Sequence, residues 1–194
     1  ADVLRIYGQP AGCRQAILSE AERYDDAANG IFNAALEGHR VLVNLPAQSM
    51  TALTQWINDN ELFELADETE VSFVRWFVSD CGLDSLKLFG EMLDTFGDRV
   101  RHVFVAIYGM TERWERLKDN QALMDRMREA EVKLVKFPKF VGRAVRDKIN
   151  EQSLTFEAAK GSDELDPIGR QGVKSFLRKS FEEDDAAGGC ANGL

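Results

Sequence analysis

Long apolar runs are missing from this sequence of 194 residues. None approaches the roughly 18 to 20 residues that a helix needs to cross a bilayer, so no membrane partner is expected. The start of the sequence also lacks a basic stretch followed by an apolar one, the pattern of a secretory signal. These absences favour a protein that works in the cytoplasm.

Cysteine and histidine are scarce. Cys13, Cys81 and Cys190 are far apart and form no C-x-x-C motif, which argues against a disulfide framework and a zinc knuckle. Reduced thiols again fit a cytoplasmic protein. The two histidines, His39 and His102, both stand beside apolar strand-like runs. A histidine-rich metal site is therefore not expected.

Motifs that hold phosphates are also missing. A phosphate loop reads G-x-x-x-x-G-K-[S/T], because backbone amides must wrap the anion and a lysine must neutralise it. The sequence contains neither this motif nor the G-x-G-x-x-G of dinucleotide-binding folds. The nearest run, residues 169–175, places Val173 between the glycine and the lysine and follows Pro167 in a helical pattern. A helix face is the better interpretation of that run.

Basic residues are few overall but concentrated in one segment. The net charge is −9, and a uniformly acidic protein binds polyanions poorly. The segment 133–148 is nevertheless rich in lysine and arginine. Its residues Arg143, Arg146 and Lys148 could form a surface for DNA or a partner protein. They could equally be a solvated face that balances the acidic helices.

What the sequence does contain is an alternation of helical and strand patterns. The predicted strands are residues 40–45, 71–78, 102–107 and 131–137. The predicted helices are residues 31–36, 50–65 and 86–96, one after a cap at Thr111, and one after Asp166-Pro167. This order predicts an α/β fold in which a parallel sheet carries helices on both faces. We expect one domain over residues 1–182 and a flexible tail over residues 183–194.

The run Asn44-Leu45-Pro46-Ala47-Gln48 draws attention because it follows the strand-like residues 40–43. A buried strand in a parallel sheet delivers polar side chains to its carboxyl end, where ligands bind. One interpretation is a switch that senses a bound nucleotide or metal. The other is a strand end followed by a turn that starts a helix, and these residues alone favour it.

Two further candidates follow the second predicted strand. Asp80 is the best single carboxylate for acid–base chemistry, although a cap for the following helix is the favoured interpretation. Cys81 has no activating base nearby in the sequence, so a buried thiol is favoured over a nucleophile.

Taken together, these segments resemble the later part of a ParA/MinD/CobQ-type ATPase, from the deviant Walker group of P-loop proteins. The plasmid stability and mobilisation branch is the most similar. In that family a strand ends in Asp-x-Pro-(Ala/Gly), and Asn44-Leu45-Pro46-Ala47 stands at that place. In the family a later strand ends in a residue that contacts the adenine. At that place this chain has Ile107-Tyr108-Gly109, without the usual asparagine. The last strand ends in a hydrophobic-Pro pair beside the base, matched by Phe137-Pro138-Lys139-Phe140.

The resemblance implies a three-layer, P-loop NTPase-like fold and ATP-dependent homodimerisation. The dimer would then bind DNA or a partition or mobilisation protein. Asn44, Pro46, Ala47 and Gln48 would be the switch. The base would lie against Tyr108, Pro138 and Lys139. Arg143, Arg146 and Lys148 would offer the DNA or partner surface.

The chain departs from the family in two respects. The first strand and the phosphate loop would precede Ala1, so ATP and Mg²⁺ are expected only if that loop is supplied, as in a fragment of a longer protein. Asn44 replaces the switch aspartate, and an amide brings no charge to a metal. The alternative is a non-catalytic α/β interaction module that has lost nucleotide binding. A small-molecule enzyme of flavodoxin-like topology is a third reading without a supporting motif.

Overall fold

Apolar residues at helical spacing shape the first part of the chain. The computed structural model describes residues 2–24, 26–111 and 114–186, and it divides into the units Ala1–Ser72 and Phe73–Leu194. The helices of the first unit are α1 (Asp2–Tyr7), α2 (Asn29–Leu36), α3 (Met50–Asp59) and α4 (Leu62–Thr69), with a 3-10 turn at Glu22–Tyr24. The prediction of one domain over residues 1–182 stays a prediction.

One predicted helix, residues 50–65, is two helices in the structure. Helix α3 ends at Asp59, and Glu61 takes a left-handed conformation with φ +48° before α4 begins. The side chain of Asn60 donates to the carbonyl of Trp56 at 3.0 Å, which satisfies one of the carbonyls that a helix end leaves without a partner. This local hydrogen bond competes with continuation of the helix, and the apolar spacing does not reveal it.

The predicted strand over residues 40–45 is wrong. Residues 39–46 are irregular, and Leu42 is 89% exposed. The apolar run is strand-like in composition, but a strand requires a neighbour that pairs with its N–H and C=O groups. In the described residues the sheet contains three other strands only. Asn44 therefore does not stand at the carboxyl end of a strand.

The second unit contains the sheet. Its strands are β1 (Val74–Ser79), β2 (Arg101–Ile107) and β3 (Lys133–Phe137), which pair in parallel in the order β1-β2-β3. Its helices are α5 (Leu83–Phe96), α6 (Glu115–Asp119), α7 (Gln121–Glu129), α8 (Arg143–Glu151), α9 (Phe156–Ala159) and α10 (Pro167–Ala186). The α/β class and the parallel sheet are confirmed.

Helices cover both faces of this sheet, as predicted. On one face the ring of Phe89 from α5 lies 4.9 Å from Phe104 and 5.1 Å from Phe77. Because side chains alternate along a strand, Phe137 lies on the opposite face. There its ring centre is 5.7 Å from that of Phe176 in α10.

Side-chain caps decide two of the predicted helix starts. Asp166 accepts a hydrogen bond from the Gly169 amide at 2.6 Å, which confirms the start of α10 that Asp166-Pro167 predicts. The predicted cap at Thr111 is wrong, because α6 begins at Glu115 and Asn120 caps α7. Residues 112 and 113 lie outside the described residues.

The C-terminal end of α10 differs from the predicted tail. The helix continues to Ala186, and the Lys136 amide of β3 donates to the Glu183 carboxylate at 3.3 Å. Residues 183–186 are therefore helical. Residues 187–194 of the predicted tail lie outside the described part of the chain.

Candidate functional site

The carboxyl ends of β2 and β3 bring together the three residues predicted to contact a base. The Tyr108 amide donates to the Phe137 carbonyl at 3.0 Å. A Cβ at Gly109 would lie 3.7 Å from the Lys139 Cα. Tyr108, Pro138 and Lys139 thus lie at the same edge of the sheet. We call these three residues and Gly109 the β2–β3 edge.

The β2–β3 edge is open to solvent. Tyr108 is 41% exposed, Pro138 is half-buried and Lys139 is exposed. The Tyr108 ring stacks on Trp114 at 5.1 Å with 21° between the planes, and the Trp114 indole N–H donates to the Thr111 carbonyl at 3.0 Å. Tyr108 is therefore held in place while part of its surface is free for a ligand.

The order of the described strands leaves the β2–β3 edge without a crevice. Ligands of open α/β sheets bind in the crevice where the strand order reverses. The order β1-β2-β3 runs in one direction over the described strands, so these three strands form no such crevice. A molecule on the β2–β3 edge would be covered on one side only.

The end of β1 holds a tight turn. Ser79 is buried, lies 2.8 Å from the Ser85 hydroxyl and accepts a hydrogen bond from the Cys81 amide at 3.0 Å. Asp80 accepts from the Gly82 amide at 2.9 Å. The Asp80 carboxylate therefore closes the turn between β1 and α5. The predicted cap at Asp80 is wrong, because the N-cap residue of α5 is Gly82 and no side chain caps this helix.

Cys81 is buried and has a left-handed backbone, with φ +61°. Burial raises the pKa of its thiol, while a hydrogen bond with the Leu117 backbone and the charge of Arg116 act in the opposite direction. A raised pKa keeps the thiol protonated, and the thiolate is the nucleophilic form. The geometry therefore fits a buried thiol.

The predicted switch residues lie in the first unit, whereas the β2–β3 edge belongs to the second. Asn44 and Pro46 are exposed in the irregular segment. Ala47 and Gln48 form an exposed turn that precedes α3, with Gln48 at φ +64°. The turn that starts a helix is the interpretation that the local structure favours.

The predicted DNA or partner surface lies on α8 and is interleaved with carboxylates. Asp147 lies 3.5 Å from Arg143 and 3.7 Å from Arg146, and Glu164 lies 3.7 Å from Lys148. Exposed ion pairs of this kind contribute little to stability, but they reduce the positive potential that a phosphate backbone would meet. This arrangement favours the solvated-face interpretation.

The described residues do not fit a magnesium site. No group of three or more histidine, cysteine, aspartate or glutamate side chains in residues 2–24, 26–111 and 114–186 could hold a metal ion. Mg²⁺ requires carboxylates, phosphates or waters in near-octahedral geometry, and Asn44 is neutral. We therefore derive no step through a bound metal.

Membrane insertion has no support in the helices. Over the part of the chain that the structure describes, none of them has the length and apolar character needed to cross a bilayer.

Comparison with known proteins assigns no family. No protein-family model, no curated protein and no solved structure matches the chain. The ParA/MinD resemblance therefore rests on the order of its motifs and stays a prediction.

Proposed function

We propose that this chain is a ParA/MinD-like nucleotide-binding protein that acts in plasmid or DNA partition, stability or mobilisation through ATP-dependent dimerisation. The observation that carries the proposal is the β2–β3 edge. Two segments separated by about 30 residues of sequence, each matching a base-contacting segment of that family, are neighbours through the hydrogen bond from Tyr108 to Phe137. A P-loop NTPase-like arrangement of the whole sheet belongs to the same proposal.

The β2–β3 edge offers a base three kinds of contact. Tyr108 and Pro138 present flat apolar surface, and stacking on such surfaces tolerates every base because each has a π-face. Backbone groups of Gly109 and Lys139 supply the directional hydrogen bonds that distinguish one base edge from another. The Lys139 ammonium adds a mobile donor and a positive charge.

The phosphates and Mg²⁺ need residues beyond this edge. The sequence contains no phosphate loop, so ATP with Mg²⁺ is proposed as cofactor only where such a loop is supplied. Asn44 and Gln48 would then act as the switch. Hydrolysis is not part of the proposal.

Titration with the adenine nucleotide AMP tests the proposed base site. In ¹H–¹⁵N spectra of the folded chain, millimolar AMP should shift the amides of Tyr108, Gly109 and Lys139. Lys139→Gln should weaken binding by about tenfold, because one charge-assisted hydrogen bond contributes roughly 1.5 to 3 kcal/mol. The measurement is a titration followed by chemical shift.

Lys133→Gln is the matched control for this titration. Lys133 is exposed at the opposite, amino end of β3, so its variant should bind AMP as the original chain does. Shifts scattered over the surface, or equal loss of affinity in both variants, would contradict a base site at the β2–β3 edge.

An α/β interaction module without nucleotide is the second candidate function. Two observations favour it: residues 39–46 form no strand, and carboxylates lie beside each basic residue of the α8 surface. Val78 on β1, a strand with a neighbour on one side only in the described sheet, is 58% exposed. Apolar side chains on an edge strand are a common feature of protein-binding surfaces.

DNA binding separates the two candidates. Asp147→Asn should tighten binding to duplex DNA, because it removes the carboxylate beside Arg143 and Arg146. Arg143→Gln on the α8 surface should reduce the slope of log K against log salt concentration by about 0.9, the value for one lost phosphate contact. Fluorescence anisotropy at several salt concentrations measures both effects.

Glu91→Gln is the control for the change in net charge, since Glu91 pairs with Lys87 on α5 at 3.6 Å. If Asp147→Asn binds DNA no better than Glu91→Gln and the slope of Arg143→Gln is unchanged, the DNA role fails. The interaction module would then be the better function.

A further inference from the structure

The first unit contains a pocket of about 180 Å³ beside the C-terminal half of α3. It lies between α3 and residues 17–19, Tyr24 and Ala28, so both walls belong to the same unit. Its lining residues that matter here are two aromatic side chains and a carboxylate: Tyr24, Trp56 and Asp59.

The Trp56 ring is fixed in orientation. Trp56 is 8% exposed, and its indole N–H donates to the Asn29 side chain at 2.9 Å. The Asn29 amide in turn donates to Asp26 at 3.1 Å. Because the polar edge of the indole is satisfied by Asn29, what remains for a ligand in the pocket is apolar π-surface.

Tyr24 already illustrates the chemistry that such a ring supports. The guanidinium carbon of Arg23 lies 4.8 Å from the centre of the Tyr24 ring, within the range of a cation–π contact. Tyr24 is half-buried. One aromatic ring of the pocket, that of Tyr24, thus already contacts a cation in the folded chain.

The exposed carboxylate of Asp59 lines the pocket at the C-terminal end of α3. It is the last residue of α3, which has no basic residue in its last turn, and a carboxylate there faces the negative end of the helix dipole. Over the described residues it makes no hydrogen bond and no ion pair. The carboxylate is therefore available to a cation in the pocket.

We propose that this pocket binds a small organic cation, a quaternary ammonium or a methylated amine. Aromatic faces attract cations that are weakly hydrated, whereas a simple ammonium is held strongly by water. A cavity of about 150 Å³ accepts benzene, and a trimethylammonium group is of similar size. Asp59 supplies the charge, and Trp56 and Tyr24 supply the apolar walls.

Choline and its neutral carbon isostere 3,3-dimethylbutan-1-ol test the proposal with the full chain. Both fill the same volume, but choline alone carries charge. Choline should shift the Trp56 indole N–H signal and bind about tenfold more tightly than the alcohol. Equal affinity would show a merely apolar cavity, and the absence of any shift with choline would show no site; either result overturns the proposal.

Two variants of the first unit complete the test. Asp59→Asn should abolish the preference for choline and raise the melting temperature, since it removes the anion from the end of α3. Glu68→Gln on α4 makes the same charge change at an exposed position outside the pocket lining and should leave choline binding intact. Choline binding that survives Asp59→Asn unchanged overturns the proposal.

The same group could come from a free metabolite or from a protein side chain. A short peptide with one trimethyllysine, compared with its unmethylated form and with choline, separates these sources. Tighter binding of the methylated peptide than of choline supports a protein ligand, and the reverse order supports a free one. A peptide that binds equally well without its methyl groups overturns the preference for a weakly hydrated cation.

Discussion

Phe104→Ala should lower the free energy of unfolding by about 3 to 5 kcal/mol, the cost of removing a large aromatic side chain from a core. Phe104 is 0% exposed on the central strand β2. Its ring packs edge-on against Phe89 at 4.9 Å and also stacks against Phe77 at 6.1 Å. Domains of this size are stable by about 5 to 15 kcal/mol, so the variant should be close to unfolding at 37 °C. Urea denaturation followed by circular dichroism measures the loss.

Leu134→Ala is the matched control for that loss. Leu134 is the register partner of Phe104 on β3 and points to the same face, but it is 42% exposed. Its truncation should cost about 1 kcal/mol, because much of its side chain already meets water. Equal destabilisation by the two variants would contradict the placement of the core between α5 and the sheet. Because Tyr108 directly follows the last residue of β2, Ile107, the Phe104 variant should lose the nucleotide-induced shifts at the β2–β3 edge as it unfolds.

Much of the second unit could be predicted from the sequence because local and long-range preferences agree there. The apolar run 102–107 is central and buried as β2, and the helix ahead of it ends at Gly97, whose φ of +51° suits glycine. Asp166 and Pro167 mark the start of α10 through the geometry of a cap. Such features depend on a few neighbouring residues.

The run 40–45 could not be assigned correctly for the opposite reason. Its composition is that of a strand, but strand formation depends on a partner that the sequence does not name. The break between α3 and α4 likewise depends on one hydrogen bond from Asn60. In both places the periodic pattern is present and a further contact, or its absence, decides the conformation.

The candidate sites also differ in how far the sequence predicts them. The neighbourhood of Tyr108 and Lys139 follows from topology, because the carboxyl ends of parallel strands meet at one edge. The carboxylate of Asp147 between Arg143 and Arg146 follows from helical spacing and could have been anticipated. The pocket that combines Tyr24 with Asp59 joins residues far apart in sequence, and no motif predicts it.

Acid should destabilise the chain through His102 as the pH falls below 6.5. His102 is 1% exposed, and its Nε2 lies 3.0 Å from the Gly97 carbonyl. A carbonyl only accepts, so Nε2 carries the proton, and Nδ1 is buried without a hydrogen-bond partner among the described residues. Burial, aided by the charge of Arg75 on the neighbouring strand, lowers the pKa of His102 below its ordinary 6.5.

Protonation of His102 favours the unfolded chain, because the pKa of this residue is higher there than in the folded chain. As the pH falls, the unfolded chain binds the proton before the folded chain does. The contribution of neutral His102 to the free energy of unfolding is therefore complete above pH 6.5, and it is lost progressively between pH 6.5 and the lower pKa of the folded chain. Within that window the loss amounts to as much as about 1.4 kcal/mol per pH unit. Asp125 acts at lower pH, since hydrogen bonds from Gln121 and Arg128 lower the pKa of its carboxyl from 3.8. Urea melts between pH 7.5 and pH 5 therefore report mainly on His102.

Two variants attribute that slope to His102. His102→Gln can still donate to the Gly97 carbonyl but cannot titrate, so it should lose most of the pH dependence between 7.5 and 5. His39→Gln removes the other histidine, whose side chain is 69% exposed, and should keep the slope of the original chain. The same slope in all three proteins would mean that His102 is not held neutral in the folded state. Because His102 lies near the start of β2 and Tyr108 directly follows its end, acid should weaken AMP binding over the same pH range only to the extent that the second unit unfolds.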